Sequence, residues 1–421
     1  MESALSGIKV VELGIAIQGP AAGMYLAEHG AEVIKIETPV GEENRHHFGY
    51  GKSLPKAVPA PQFVANNRGK RLMTLDAKGE LGREVLRRLI AKADVFLTNY
   101  RENALNRLGL GYEELHRLNP RLIYAIASGF GSKGPVADRA MLDPMAQARG
   151  GLVSVTGSPD RPQVLAGAAM ADTTGAAQLI VGILTALLAR ERHGVGQRVG
   201  TSSYGAQLWH QAFELTYTSM TGYVPRSSEG IHPLAPGGSS GVFRTADGGA
   251  VAFLDTLSPE VWTEFCERAG KPELARDARW DSAYKRLSTD NPDALRLQVA
   301  EIFASRTTAE WEAFFSDPYL MFQRVFDYED VLDDPQALEN GYISEIELPE
   351  MGRTKVVGNT IELSETPPEV RPLACELGEH TEAILLEYGY GPAEVSEILK
   401  ETEDAKSREF QSGGLQFGTD D

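Results

Sequence analysis

Cysteine is almost missing from this chain: only Cys266 and Cys375 occur in 421 residues. Two cysteines build neither a disulfide framework nor a four-cysteine zinc site, and a reducing, cytoplasmic setting fits. Histidine is also sparse. The eight histidines are scattered, the adjacent pair His46-His47 points in two directions on any regular element, and no His-x-x-x-His or Cys-x-x-Cys occurs. No metal site is expected. Basic residues are outnumbered, 41 Lys and Arg against 59 Asp and Glu, for a formal net charge of -18. Such a surface repels phosphate polymers and anionic lipid, so neither nucleic acid nor membrane is expected as a partner. A phosphorylated small ligand stays compatible if a few Arg and Lys are concentrated locally. Long apolar runs are lacking too. The longest, Ala176–Ala189, is interrupted by Gln178 and Gly182 and reads as a buried core helix too short to span a bilayer. Met1–Leu13 carries no basic segment followed by an apolar one, so no signal peptide is expected.

What is present is globular: 42% apolar and 24% charged residues, in a length that exceeds one compact domain. Ile8–Leu13 is a strand-like run. Pro20 suits the first position of a helix over Ala21–His29, and Glu32–Glu37 is a second strand. Strands at Arg71–Asp76, Asp94–Thr98, Arg121–Ala127 and Gln197–Ser202 alternate with helices at Gly79–Ala93, Glu102–Leu108, Gly111–Leu118, Asp172–His193 and Ala206–Thr221. Alternation of this kind predicts an α/β fold with an open parallel, Rossmann-like sheet. The character changes after Tyr223, with a Pro/Gly/Ser-rich stretch and a hairpin over Gly241–Leu254 that turns at Ala246-Asp247-Gly248-Gly249. We expect a large domain from 1–223 plus 326–400, a smaller inserted α+β domain over 224–325, and a polar, mobile tail over 401–421.

Several stretches could carry chemistry. Gly129-Phe130-Gly131-Ser132-Lys133-Gly134 matches G-x-G-x-x-G after a strand, but Pro135 follows and no helix starts there. A dinucleotide site needs the helix N-terminus at once, so NAD binding is rejected. Asp172 sits among small residues ahead of a long apolar helix. As an N-cap it has an ordinary structural use; facing a ligand it is an ionised carboxylate and a nucleophile. Lys78, Arg101 and Arg107 follow successive strand ends. In a parallel sheet ligands bind outside those ends, although most Lys and Arg are merely solvated.

In order and spacing, these residues resemble the class III CoA-transferase family, of the formyl-CoA and carnitine CoA-transferase type, from Gly7 to about Lys400. The features are Gly7-Ile8-Lys9-Val10-Val11-Glu12 with Gly19-Pro20, Gly30-Ala31-Glu32-Val33-Ile34-Lys35-Ile36-Glu37, and Asn67-Arg68-Gly69-Lys70-Arg71 with Leu75-Asp76-Ala77-Lys78. Asn99-Tyr100-Arg101, Asn119-Pro120-Arg121, Asp172, Gly196-Gln197-Arg198-Val199 and Gly378-Glu379-His380-Thr381 continue the series. The resemblance implies that Asp172 is the catalytic aspartate. It implies that Ile17, Gln18, Leu75, Lys78, Asn99, Tyr100, Arg101, Arg107, Arg139 and Asp143 lie on or beside the CoA and substrate site. Gly237 and Gly238 resemble a loop that closes over the aspartate. Two positions depart from the pattern: Ile17 stands where a Gln is common, with Gln18 beside it, and Thr38 replaces a common Arg or Lys.

The resemblance further implies CoA transfer from an acyl-CoA donor to a small carboxylic acid through an aspartyl-CoA thioester. Coenzyme A thioester is then a substrate, with no permanently bound cofactor. Backbone amides near Asp172 are expected to steady the oxyanions. The family forms interlocked homodimers. Two alternatives stay open, an acyl-CoA racemase or isomerase of the same superfamily and a CoA-binding subunit of a hetero-oligomer. The racemase branch uses a His-Asp pair; here those positions read Leu142 and Asp143, and leucine cannot exchange a proton.

Overall fold

The computed structural model describes residues 2–46, 54–157, 163–225, 238–255, 258–287, 292–315 and 321–411. The chain divides into two compact units. Unit 1 takes Met1–Ala146, Ala169–His210 and Leu332–Asp421; unit 2 takes Gln147–Ala168 and Gln211–Val331.

Unit 1 begins with β1 (Lys9–Leu13), α1 (Gln18–Glu28), β2 (Glu32–Glu37), α2 (Pro61–Asn67), β3 (Arg71–Thr74), α3 (Glu80–Ala91) and β4 (Val95–Thr98). Then come α4 (Glu102–Arg107), α5 (Tyr112–Leu118), β5 (Ile123–Ser128) and α6 (Asp143–Arg149), which runs into unit 2. After α7 (Leu152–Val155) in unit 2, unit 1 resumes with α8 (Met170–His193), β6 (Arg198–Ser202) and α9 (Ser203–His210). The strands form one sheet in the order β3-β2-β1-β4-β5-β6. Every pairing is parallel, with Val10 opposite Val33 on one side and Val95 on the other. The strand order reverses between β1 and β4, and the crevice at the carboxyl ends of these two strands is where such a sheet takes ligands.

Both faces of the sheet are covered over its central strands β1, β4 and β5, which are accordingly largely apolar. Val11, Phe96, Tyr124 and Ile126 face one core, shared with α3, α5 and the helices Thr381–Glu387 and Pro392–Gln411. Val10, Val95, Leu97, Ala125 and Ala127 face the other, under α1 and α8. The small residues Ala22, Ala27, Ala125 and Ala127 let these helices lie close to the sheet.

α8 is longer than the apolar run suggested. At 24 residues it is long and apolar enough to cross a membrane by length and composition, the only such helix among the described residues. Leu179, Ile183, Ala186 and Leu187 nevertheless pack into the sheet core. The helix expected over 206–221 is two helices, because Gln211 leaves helical geometry as the N-cap of α10 (Ala212–Thr221).

Unit 2 contains an antiparallel sheet β7-β8-β9, made of β7 (Gly241–Arg244), β8 (Ala250–Leu254) and β9 (Met321–Arg324). The first two strands are the expected hairpin, closed by Thr245 N donating to Gly249 O. Its core is aromatic, with Phe243, Phe253, Phe265, Phe303, Trp311 and Phe315 in contact. The smaller unit is wider than the expected 224–325, since it includes 147–168 and 211–223 and runs to Val331. Gln211 Nε2 donating to Gly150 O (2.9 Å) ties the two added segments together. Back in unit 1, β10 (Ile343–Leu348) and β11 (Gly352–Val357) form a separate hairpin.

The tail expected from residue 401 instead continues the last helix to Gln411. Ala405 and Thr402 are buried, and Glu401 Oε1 accepts the Gly82 amide at 3.0 Å. Residues 412–421 lie outside the described residues.

Candidate active site

The loop after β1 is held in place by buried charge. Lys35 Nζ lies 3.1 Å from both Glu12 Oε1 and Glu42 Oε1, and donates to Gly14 O at 2.8 Å. Lys70 Nζ pairs with Glu12 Oε2 at 2.7 Å and donates to Pro20 O. Burial opposes the charge on Lys35, but the carboxylates of Glu12, Glu42 and Glu37 outweigh it and hold the ammonium above its ordinary pKa. Lys70 goes the other way, pushed down to about 8, mainly by burial. Ala16 has a left-handed backbone (φ 64°), and its amide donates to Glu42 Oε2 at 2.9 Å, which holds this otherwise disfavoured conformation. Asn99, just after β4, braces the same loop. Its Oδ1 accepts Ile15 N at 2.9 Å and its Nδ2 donates to Ile15 O at 2.6 Å. Ile17 is the N-cap of α1, and Gln18 is its first residue, 5% exposed.

Asp172 lies in the first turn of α8, but the N-cap is Ala169. The capping is done by Asp143, whose Oδ2 accepts both Ala171 N (2.7 Å) and Asp172 N (3.0 Å). Asp172 is therefore free of the structural duty an N-cap has. Its Oδ1 accepts a hydrogen bond from Ser203 Oγ at 2.8 Å, and Ser203 Oγ also lies 3.2 Å from Gln18 Oε1. Burial raises the Asp172 pKa above the usual aspartate value; the Ser203 bond works against this and the Asp143 charge adds to it. The amides of residues 171–173 are occupied, two by Asp143 and the third by Ala169 O. They are not the spare oxyanion donors expected from sequence.

A cavity of about 360 Å³ opens at the carboxyl ends of β1, β2 and β3. It is lined by Leu75, Lys78, Tyr100 and Arg107, together with Thr38 and Glu409. Lys78 and Arg107 are exposed cations at its rim, and Lys78 Nζ is 3.9 Å from Glu409 Oε1. Burial raises the Tyr100 phenol, so it stays a neutral donor at physiological pH. Thr38 turns its hydroxyl to Gly41 O at 2.7 Å. Cavity and carboxylate are linked through packed residues: Tyr100 follows Asn99, Asn99 packs on Gly19, and Gln18 reaches Ser203 beside Asp172.

Arg101 and Arg139 do not line this cavity. Arg101 is the exposed N-cap of α4, and Arg139 is exposed in the loop before α6. Leu142 is 70% exposed. Gly238 belongs to unit 2 and is buried there; Gly237 lies outside the described residues. Among the described residues, no group of three or more His, Cys, Asp or Glu could hold a metal ion.

The chain matches the model of CoA-transferase family III over residues 5–381. It belongs to that family. Relatives span its length. A succinyl-CoA–D-citramalate CoA-transferase of Chloroflexus aurantiacus is 31% identical over 90% of this chain and 92% of its own. A formyl-CoA:oxalate CoA-transferase of Streptomyces coelicolor is 32% identical over 93% and 97%. Among solved structures, a CAIB/BAIF family protein from Brucella suis is similar with a TM-score of 0.82 at 30% identity, covering 92% of this chain and all of the other. This family III member is accordingly an enzyme of the CoA-transferase class, and its fold is the expected α/β with a six-stranded parallel sheet.

Sequence reasoning missed Ser203, Glu42 and Lys70 in this enzyme. A signal for the buried charge network was present: Glu12, Lys35 and Glu37 are charged residues inside strands whose other interior positions are apolar and buried. Ser203 gave none.

Proposed function

We propose that this enzyme moves CoA from an acyl-CoA donor to a small carboxylic acid, with Asp172 as the nucleophile. The observation that carries the reading is the Asp172 carboxylate itself: half-buried, bonded on one oxygen by Ser203, and relieved of capping by Asp143. Asp172 attacks the thioester carbonyl, giving an acyl-aspartyl anhydride and CoA thiolate. The thiolate attacks the aspartyl carbonyl, releasing the donor acid and leaving an aspartyl-CoA thioester. An acceptor carboxylate then runs the two steps in reverse. A hydrated carboxylate is a poor nucleophile, and burial of Asp172 removes part of that hydration. The cavity at Leu75, Lys78, Tyr100 and Arg107 takes the adenosine and phosphate end of CoA, with Lys78 and Arg107 meeting phosphate.

The racemase reading has little support, because Asp143 holds two amides of α8 and Leu142 has no exchangeable proton. The enzyme assembles as a homodimer in this reading. Val181 and Leu188 of α8 and Trp209 of α9 are more than half exposed in the single chain, an apolar area suited to a second copy.

The test is Asp172→Ala assayed for CoA exchange against a panel of acyl-CoAs and acids. Exchange falls at least about 10³-fold, and the wild type yields an aspartyl-CoA adduct detectable by mass spectrometry. Near-normal exchange by the alanine variant overturns the assignment.

A further inference from the structure

The hydrogen bonding beside Asp172 is overcommitted at one atom and idle at another. Ser203 Oγ has acceptors on two sides, Asp172 Oδ1 at 2.8 Å and Gln18 Oε1 at 3.2 Å. A hydroxyl has one proton to give. Meanwhile Gln18 Nε2 is buried without a partner. Half a rotation of the Gln18 amide about its last bond exchanges two groups of nearly equal shape, gives Ser203 Oγ a donor on that side and leaves Oε1 in the place Nε2 held. Nε2 then donates to Ser203 Oγ, and Ser203 donates to Asp172 Oδ1. Gly175 makes the room: a Cβ there would come 2.3 Å from the Gln18 amide. Ser203 is fully buried, so water does not compete for its proton. Asp172 Oδ2 accepts no hydrogen bond from the described residues.

We infer that Ser203 is a catalytic residue that pins Oδ1 as the permanent carbonyl oxygen of Asp172 and leaves Oδ2 as the only attacking atom. This rests on Asp172 being the nucleophile. Oδ2 bonds to the donor acyl carbon, and the C–S bond breaks with its electron pair leaving as CoA thiolate. The thiolate sulfur then bonds to Asp172 Cγ, and the C=Oδ1 π pair moves onto Oδ1. That oxyanion forms against the Ser203 hydroxyl, already in place before the reaction starts. Collapse restores C=Oδ1 and breaks Cγ–Oδ2, so Oδ2 departs with the donor acid. In the return half, an oxygen of the acceptor acid takes the vacated place.

The consequence is an isotope count. Wild-type enzyme is run through many turnovers with a donor and acceptor acid whose carboxylate oxygens are all ¹⁸O, and the peptide containing Asp172 is weighed. One heavy oxygen is expected, since Oδ1 never leaves. Ser203→Ala frees the carboxylate to rotate, so Asp172 acquires two heavy oxygens, and kcat falls about 100-fold with KM little changed. Ser203→Thr, which keeps the hydroxyl, returns to one. Two heavy oxygens in the wild type, or an alanine variant with normal kcat, overturns the role of Ser203. No heavy oxygen in Asp172 overturns the nucleophile instead, and so separates the two failures.

Discussion

Asp172 carries opposing demands. Burial lifts its pKa, so at neutral pH the folded protein holds a charge that the unfolded chain solvates more easily. A carboxyl with a raised folded pKa binds more protons folded than unfolded between its two pKa values, and stability falls as pH rises through that window. Asp172→Asn removes the charge and keeps an acceptor for Ser203. We expect it to abolish exchange while raising the melting temperature at pH 7.5, with the gain shrinking as pH falls toward 4. Thermal melts of both proteins across that range check this. On the proposed role of Asp172, the group lowers the stability of its own fold, a familiar exchange of stability for activity. That Asp172 stands among small residues ahead of a long apolar helix was legible. Its local role was not, because the cap is supplied by Asp143, 29 residues earlier in the chain. Capping by a distant carboxylate leaves no local signature. Gln18 shows the same limit. Sequence placed it beside Ile17, while only the fold shows that it reaches Ser203, 185 residues on.

Among the elements, strands and most helices could be read from apolar runs and periodicity, because a sheet buried on both faces imposes them. The loop between β1 and α1 could not. Its course is set by Glu42, Asn99 and Lys35, which come from three other parts of the chain. The same holds for the cavity, whose walls come from the ends of successive strands and from the last helix. There the charge pattern yields a prediction. Arg107 sits in the last turn of α4, exposed at the rim. Arg107→Glu replaces attraction for phosphate with repulsion, and KM for acyl-CoA rises about tenfold with kcat within a fewfold of normal. Added salt narrows the gap, since an exposed interaction is screened. Steady-state kinetics at two ionic strengths measure both effects. An equal fall in kcat would move Arg107 from phosphate binding into the transfer itself.

For the whole molecule, the division into two units was legible in outline but misplaced at its edges. The change of composition after Tyr223 is real, yet α10 and the 147–168 segment join the smaller unit through packing that composition does not reveal. The exposed apolar side chains of α8 carry the remaining prediction. Val181 and Leu188 lie on one side of the helix while Ile183 and Leu187 face the sheet. Val181→Asp combined with Leu188→Asp converts a dimer to monomers in sedimentation velocity and leaves the far-ultraviolet circular dichroism unchanged. A wild type that sediments as a monomer at micromolar concentration removes the dimer.

The last helices have a further consequence for how the chain is made. Ile384, Leu385, Val395 and Ile398 complete a core that Val85, Leu86 and Leu89 began some three hundred residues earlier. A ribosome that has translated only through β11 has made every strand of the sheet, yet one face of it lacks part of its cover. That greasy face stays open to chaperones or to misassembly until the final stretch emerges. Premature termination near residue 380 should therefore yield insoluble polypeptide rather than a slightly shortened enzyme.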